Sequence, residues 1–242
     1  MPGGQGLSWR VGEFVLKPHV GSEYQEWLGT EVAAMEQRGF RLPTVRRAVD
    51  GAWVVEGWAA QSVVPGSITR SSRADWRSVM DAARALHAAT EPLARPAFLD
   101  QRNDAWAQAD RAVWDEAPRR VGPELSAIVE RLTPALSPMG PAQLIHGDLT
   151  TNVLLAPGEP PSIIDFSPYW RPPSYAEGIV IADALCWHDA PPEILQDAGA
   201  PISAVARGLL FRVLTLHFQQ RHGAALPRES RRYESVLTAL DL

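Results

Sequence analysis

The sequence predicts an α+β protein in which a small antiparallel sheet with one helix precedes a larger, mainly helical part. Apolar runs interrupted by Gly12-Glu13 and by Asp50-Gly51 indicate two β-hairpins near the start of the chain. Pro65-Gly66 then breaks the chain, and from Ser72 onward apolar residues recur at helical spacing. We therefore divide the chain into an N-terminal lobe (1–56), a linker (57–66) and a C-terminal lobe (67–242).

The first predicted hairpin follows a glycine-rich start. Gly3, Gly4 and Gly6 precede strands around 9–11 and 14–17, and the second strand ends in a lysine. Glycine lets backbone N–H groups approach an anion closely. A disordered terminus is the competing interpretation, but the lysine and the polar loops later in the chain favour a phosphate-binding loop.

One helix is predicted in the N-terminal lobe, from Ser22 to about Arg38. Ser22 and Gln25 have the spacing of a capping box. The apolar face of this helix includes Glu31, whose burial is costly unless a cation lies nearby. Glu26 lies off that face, where a solvated side chain is expected.

A second hairpin and a series of helices account for most of the remaining chain. Strands over 45–48 and 53–56 flank the Asp-Gly turn and would complete a sheet of about five strands. His87 and Cys186 lie among apolar residues, so we interpret both as core residues, neither a metal ligand nor a nucleophile. The periodicity predicts helices over 72–89, 104–114, 123–132, 174–187, 201–221 and 228–240.

Polar residues gather around a third hairpin in the middle of the chain. An apolar strand ends at His146, and hairpin arms follow over 153–155 and 162–164. Asn152 directly precedes the first arm and Asp165 directly follows the second, so both lie at the open end of one hairpin. Asp148 lies on the loop that leads to the same end. These oxygens suit Mg²⁺, which binds one or two carboxylates together with phosphate oxygens and water; alternatively, the aspartates cap turns.

The motifs H-G-D-x-x-x-N (146–152) and I-D-F (164–166) resemble the catalytic and metal-binding loops of the aminoglycoside phosphotransferase and choline kinase family. That family has a two-lobed fold similar to that of protein kinases. The resemblance implies that Asp148 orients or deprotonates a substrate hydroxyl, and that Asn152 and Asp165 hold Mg²⁺ against the phosphates of ATP. It implies a structural role for His146. One departure is the loop from Asp148 to Asn152, which is one residue shorter than is usual in the family.

The same resemblance assigns nucleotide-binding roles to the start of the chain. Gly4, Gly6 and Ser8 correspond to the loop that covers the phosphates, and Lys17 corresponds to the lysine that pairs with them. Glu31 is then the expected partner of Lys17, as in the lysine–glutamate pair of kinases, and Glu26 is the competing candidate. The start of the chain is therefore expected to form one wall of an ATP site.

By the same resemblance, Glu56 and Trp58 belong to the hinge (56–60), where backbone groups hydrogen-bond adenine. Asp183, enclosed by apolar residues, is expected to hydrogen-bond the backbone of the catalytic loop, as an acidic residue does in similar kinases.

The run D-F-S-P-Y-W-R-P-P (165–173) also resembles a group of uncharacterised actinobacterial proteins within the family. Because segment 167–175 follows the metal aspartate, its aromatic residues and Arg171 could border the acceptor. Alternatively, its prolines and aromatic residues make it a rigid, buried loop. The first acidic residue after it is Glu177, which favours a neutral or acidic acceptor over a polycationic one.

These features predict an ATP- and Mg²⁺-dependent phosphotransferase that acts on a hydroxyl group of a small molecule. The alternative is a catalytically weak or inactive nucleotide-binding scaffold or sensor on the same fold, which the shortened loop would favour. Phosphorylation of proteins is disfavoured because no activation segment of the protein-kinase kind follows Asp165.

Composition limits the other classes of function. The chain has 242 residues, of which 45% are hydrophobic, enough for a substantial core. Its net charge of -5 gives no reason to expect nucleic acid or an anionic membrane as a partner. A single cysteine excludes an internal disulfide and suits a reducing cytosol. No apolar run is long enough to span a bilayer, and the first residues lack the pattern of a signal peptide, so a cytoplasmic protein is expected.

Overall fold

The computed structural model describes residues 7–18, 20–68, 70, 72–115, 121–220 and 226–242. A small N-terminal lobe built on an antiparallel sheet precedes a larger, mainly helical C-terminal lobe, which confirms the predicted fold class. The strands are β1 (Trp9–Val11), β2 (Phe14–Lys17), β3 (Val45–Arg46), β4 (Ala59–Ser62), β5 (Gln143–His146), β6 (Val153–Leu154), β7 (Ser162–Ile163) and β8 (Pro168–Arg171). The helices are α1 (Ser22–Trp27), α2 (Arg73–Thr90), α3 (Ala105–Trp114), α4 (Pro123–Leu132), α5 (Pro173–Trp187), α6 (Ile194–Ala198), α7 (Ile202–Phe218) and α8 (Leu226–Ala239).

The N-terminal sheet has the strand order β1-β2-β4-β3, with antiparallel neighbours throughout. Lys17 on β2 pairs with Ala59 on β4. Because β4 belongs to this sheet, the N-terminal lobe extends to Ser62, and the prediction that it ends at residue 56 is wrong. The strand predicted over 53–56 is also wrong: Val55 and Trp58 exchange backbone hydrogen bonds of 3.0 and 2.8 Å in a tight turn, so this stretch does not join the sheet.

The helix of the N-terminal lobe is shorter than predicted. α1 passes into a π-helical turn over Leu28–Val32 and does not continue to residue 38. Gly29 in this turn lies against the ring of Trp53, where a Cβ atom would be 2.3 Å from the indole. The predicted capping box is absent: Gly21 occupies the N-cap position, and Gln25 is buried within the lobe.

The first helix of the C-terminal lobe matches its prediction closely. The Ser72 hydroxyl accepts a hydrogen bond from the backbone N–H of Asp75, and the Asp75 carboxylate accepts one from the backbone N–H of Ser72. This reciprocal pair satisfies two backbone donors at the start of α2. The face predicted to point inward is buried, namely Trp76, Val79, Met80, Ala83 and Leu86.

Two long helices, α5 and α7, form the centre of the C-terminal lobe. They cross at Gly178 and Gly208, where backbone meets backbone with no side chain between. α5 is apolar on nearly all sides because it is buried on nearly all sides. Within the part of the chain that the structure describes, no helix has both the length and the apolar character needed to cross a membrane.

We expect Gly178→Ala to destabilise the protein by about 3 kcal/mol, near the upper end of the range for overpacking a core. The added Cβ would lie 2.0 Å from the carbonyl oxygen of Ala204, and helix backbone cannot move aside as a side chain can. Denaturant unfolding measures the effect. Gly140→Ala is the matched control, because its Cβ would meet nothing within 4 Å. Equal stability of the two variants would contradict the close helix crossing.

Candidate active site

The loop after β5 is held in place by the ring of His146. Its Nδ1 accepts a hydrogen bond of 3.1 Å from the backbone N–H of Asp148, and its Nε2 lies 3.1 Å from the carbonyl oxygen of Ile164. Nε2 therefore carries the proton, and burial lowers the pKa of this histidine. The ring connects the loop that carries Asp148 to the strand end that carries Asp165, so its placement agrees with the structural role implied for His146.

A second buried histidine, His87, contacts the end of the same strand. Nε2 of His87 accepts a hydrogen bond of 3.2 Å from the backbone N–H of His146. Burial, together with the neighbouring His146, lowers the pKa of His87 to about 3. His87 is a core residue, as its apolar setting predicts.

The free energy of unfolding is expected to fall as the pH falls below about 6.5, the ordinary pKa of histidine. Below that pH the unfolded chain binds a proton at His87, whereas the native protein stays neutral there down to a pH of about 3. Each such group lowers the free energy of unfolding by about 1.4 kcal/mol for each unit by which the pH falls. In His87→Gln, which keeps an acceptor, denaturant unfolding across pH 4–6.5 should show a slope smaller by this amount. An unchanged slope would contradict the neutral, buried state of His87.

The third hairpin forms as predicted and brings three polar residues together. Val153 pairs with Ile163, and the backbone N–H of Ile164 donates to the carbonyl of Asn152 at 2.8 Å. Asn152 and Asp165 therefore lie at the open end of the hairpin. The Nδ2 of Asn152 donates to the backbone oxygen of Asp148 at 2.6 Å and to Oδ2 of its carboxylate at 3.2 Å.

This arrangement fits a magnesium ion bound together with phosphates. Because Nδ2 of Asn152 points at Asp148, its Oδ1 remains as a possible ligand, and the Asp165 side chain is partly exposed. Among the described residues, no group of three or more His, Cys, Asp or Glu could hold a metal by itself. Mg²⁺ commonly needs only one or two protein oxygens when phosphates and water supply the rest.

A cleft of about 520 Å³ opens between the two lobes. Ser8, Val15 and Lys17 line it from the N-terminal lobe, and Asn152 and Asp165 line it from the C-terminal lobe. The Lys17 amine forms an ion pair with the Asp165 carboxylate across the cleft. Gly4 and Gly6, predicted for the phosphate-covering loop, lie outside the described residues.

The prediction that Glu31 is the ion-pair partner of Lys17 is wrong. Glu31 is exposed on the π-helical turn, and Glu26 is also exposed on α1; neither forms an ion pair with Lys17. The early end of α1 turns Glu31 away from the sheet. The buried polar side chain of this helix is instead Gln25, which with Lys17 lines a second cavity of about 330 Å³ between α1 and the sheet.

The predicted hinge is also wrong in position. Glu56 and Gly57 form the corner of an exposed turn, where Glu56 has a φ of 49°, and Trp58 is 39% exposed. Neither Glu56 nor Trp58 lines the cleft. The chain leaves the sheet after β4, and the cleft there is lined by residues 62–64.

Segment 167–175 consists mainly of regular structure. It forms strand β8, paired with β5, and then the first turn of α5, where Pro173 starts the helix. Tyr169 is buried, and Arg171 makes a bidentate ion pair with Asp110 on α3, with contacts of 2.7 to 3.1 Å. These contacts support the interpretation of a rigid, largely buried segment, and contact of this segment with an acceptor stays a prediction. Glu177 is buried and pairs with Arg84, so its charge is not free to attract a polycationic acceptor.

Two arginines that were not identified from the sequence hold the loop that carries Asp148. Arg70 donates to the backbone oxygens of Thr150 and Val153, both at 2.8 Å. Arg212 on α7 contacts both Asp148 and Asp183. The signal for Arg212 is a lone charge inside the apolar run L-L-F-R-V-L, because a buried charge requires an opposite charge.

Asp183 contacts the loop that carries Asp148 through side chains. Its Oδ2 accepts a hydrogen bond of 2.7 Å from the hydroxyl of Thr150, and both of its carboxylate oxygens accept from Arg212. Burial acts to lower the pKa of Arg212, but the charges of Asp183 and Asp148 together raise it well above its ordinary value. The expected link between Asp183 and this loop exists, with a threonine side chain in place of backbone groups.

A small sheet lobe and a helical lobe on either side of a cleft, with a lysine facing an asparagine and an aspartate, define the kinase-like fold. The chain belongs to the phosphotransferase enzyme family abbreviated APH, whose model matches residues 7–175. This membership confirms the resemblance to the aminoglycoside phosphotransferase and choline kinase family.

Solved structures share the fold at low sequence identity. An aminoglycoside phosphotransferase from Alicyclobacillus acidocaldarius subsp. acidocaldarius DSM 446 is 12% identical with a TM-score of 0.60, covering 96% of this chain and 86% of that one. Aminoglycoside phosphotransferase APH(4)-Ia is 16% identical with a TM-score of 0.58, and the match covers 96% of this chain and 88% of that one. Choline kinase LicA from Streptococcus pneumoniae is 10% identical with a TM-score of 0.56, and the match covers 98% of this chain and 92% of that one. A search of curated protein sequences found no match.

Proposed function

We propose that this protein is an ATP- and Mg²⁺-dependent phosphotransferase that transfers a phosphoryl group to a hydroxyl of a small molecule. The observation that carries the proposal is the meeting of Asp148, Asn152 and Asp165 at the open end of one hairpin, with Lys17 across the cleft. Phosphoryl transfer depends mainly on positioning and on stabilising negative charge, and these groups suit both tasks.

In this proposal the nucleotide occupies the 520 Å³ cleft, a volume within the usual range for small-molecule sites. The base lies where residues 62–64 line the cleft, which replaces the hinge expected at Glu56 and Trp58. The phosphates extend toward Ser8 and Lys17. A thermostable variant of APH(4)-Ia has been crystallised with AMP-PNP and hygromycin B, which supports a nucleotide and a small acceptor in a relative with the same fold.

Asn152 and Asp165 would hold Mg²⁺, which supplies positive charge to the phosphates when it is bound. Lys17 then exchanges its ion pair with Asp165 for contacts with phosphate oxygens. Asp148, whose side chain is 45% exposed, accepts a hydrogen bond from the acceptor hydroxyl and orients it toward the terminal phosphate. His146 and Arg70 keep the shortened loop in the shape that these contacts need.

Lys17 is the only lysine in the chain, which makes a direct test possible. Acetic anhydride should acetylate its amine in the free protein, and Mg·ATP should protect it. If only the free form reacts, the rate falls about a hundredfold at a hundred times the dissociation constant. Mass spectrometry of proteolytic peptides measures the rate at Lys17.

Added Nα-acetyl-lysine amide serves as the internal standard for reagent consumption. ATP without Mg²⁺ is expected to protect Lys17 less, because phosphate binding then lacks the charge of the cation. Equal labelling rates with and without Mg·ATP would contradict the proposed position of the phosphates.

A further inference from the structure

Arg212 lies between two carboxylates that come from different parts of the chain. Its Nε donates to Oδ1 of Asp183 at 2.7 Å, and its Nη2 donates to Oδ2 of the same carboxylate at 2.5 Å. The same Nη2 also reaches Oδ1 of Asp148 at 3.0 Å. The planar guanidinium thus joins α5, which carries Asp183, to the loop that carries Asp148.

Both carboxylate oxygens of Asp148 are consequently held by donors of the protein. Arg212 holds Oδ1, and Nδ2 of Asn152 holds Oδ2 at 3.2 Å. The terminal torsion of an aspartate is broad when nothing holds it, and this side chain is 45% exposed. Each oxygen retains a second lone pair that can accept a hydrogen bond from a substrate hydroxyl.

The position of Arg212 does not depend on Asp148. Its two bonds to Asp183 form a buried ion pair, and Thr150 adds a further hydrogen bond to the same aspartate. Removing one partner of such a pair strongly destabilises a protein. The contact with Asp148 is a third bond, made by an arginine that α5 already holds.

We infer that Arg212 is a positioning residue that, together with Asn152, fixes the carboxylate of Asp148 for the acceptor hydroxyl. The inference rests on the proposed function, because Asp148 must act on the acceptor for its orientation to matter. A displacement of about 1 Å at a reacting group can reduce turnover about a hundredfold.

Arg212→Lys separates the two contacts. A lysine has one nitrogen on a flexible chain, so it can pair with Asp183 but cannot also present the planar second contact to Asp148. ATP hydrolysis with water as the acceptor is the probe, measured together with thermal unfolding. We expect kcat to fall about ten- to a hundredfold, with a KM for ATP within about twofold of the parent value because no nucleotide contact is changed. Arg207→Lys is the matched control, since Arg207 lies on the same helix and donates to the carbonyl of Ser137.

A double variant distinguishes positioning from a purely structural role. If Arg212 acts through Asp148, Arg212→Lys should reduce kcat no further once Asp148→Asn is present. Multiplying effects, or an equal loss in Arg207→Lys, would overturn the inference. If Arg212→Lys fails to fold, Arg212→Gln with Asp183→Asn removes both charges of the buried pair together and should show the same loss. A parent protein that Mg·ATP does not stabilise would instead overturn the proposed function.

Discussion

Asp148→Asn is expected to lower the turnover of ATP by about 10³-fold, within the range for loss of a positioned acid–base group. The amide keeps the size of the carboxylate but cannot take the proton of an acceptor hydroxyl. The amide oxygen can still accept from Arg212. The bond from Asn152 to the second carboxylate oxygen is lost, but Asn152 keeps its 2.6 Å bond to the backbone oxygen of residue 148, so the loop should keep its shape. Binding of Mg·ATP should therefore be retained, since Asp148 is not among the residues that line the nucleotide cleft.

The measurement is ATP hydrolysis with water as the acceptor, together with thermal unfolding in the presence of Mg·ATP. Asp197→Asn is the control, because Asp197 pairs with Arg73 on the surface of the helical lobe. Turnover equal to that of the parent would contradict the assignment of Asp148 as the residue that orients or deprotonates the acceptor. A parent protein that binds Mg·ATP and shows no turnover dependent on Asp148 would favour the scaffold or sensor alternative.

Asp165→Ala is expected to abolish the Mg²⁺-dependent stabilisation of the protein by ATP. A ligand that binds only the folded form stabilises it by about 2.7 kcal/mol at a hundred times its dissociation constant. Without Asp165, the proposed site keeps only Asn152 as a protein ligand, and the amide is uncharged. We expect the shift in melting temperature with Mg·ATP to vanish, whereas any small shift with ATP alone should remain.

Glu159→Ala is the matched control for Asp165→Ala. Glu159 lies in the turn of the same hairpin and forms an ion pair with Arg41, so its removal also breaks an ion pair between the lobes without touching the cleft. This variant should keep the full stabilisation by Mg·ATP. Full stabilisation in Asp165→Ala would contradict the assignment of Asp165 to the metal, and the absence of any shift in the parent would contradict the proposed nucleotide site.

The features that could be predicted from sequence depend on residues close together in the chain. The third hairpin needs only two short apolar arms and a turn, and its pairing necessarily brings Asn152 next to Asp165. α2 needs only a capping residue and helical periodicity. In both cases the interacting groups are neighbours or lie a few residues apart, so local pattern and local geometry are sufficient.

The incorrect predictions concern contacts between distant parts of the chain. Glu31 was matched to Lys17 by charge and helical spacing, but packing of Trp53 on Gly29 accompanies a π-helical turn that leaves Glu31 exposed. The hinge was placed at Glu56 by the family resemblance, directly after the strand predicted over 53–56, but the strand that pairs with β2 begins only at Ala59. Each error concerns a contact with a residue distant in the chain, which the local sequence pattern does not specify.

The fold class, the family resemblance and the hairpin that joins Asn152 to Asp165 could be predicted from sequence, because motifs, spacing and periodicity are properties of neighbouring residues. The side chains that hold these groups in place become visible only in the folded protein. Arg212 lies 64 residues from Asp148 and 29 from Asp183 in the chain, yet it joins them. The physical reason is that a buried charge must find an opposite charge somewhere, and only the packing of α5 against α7 determines where.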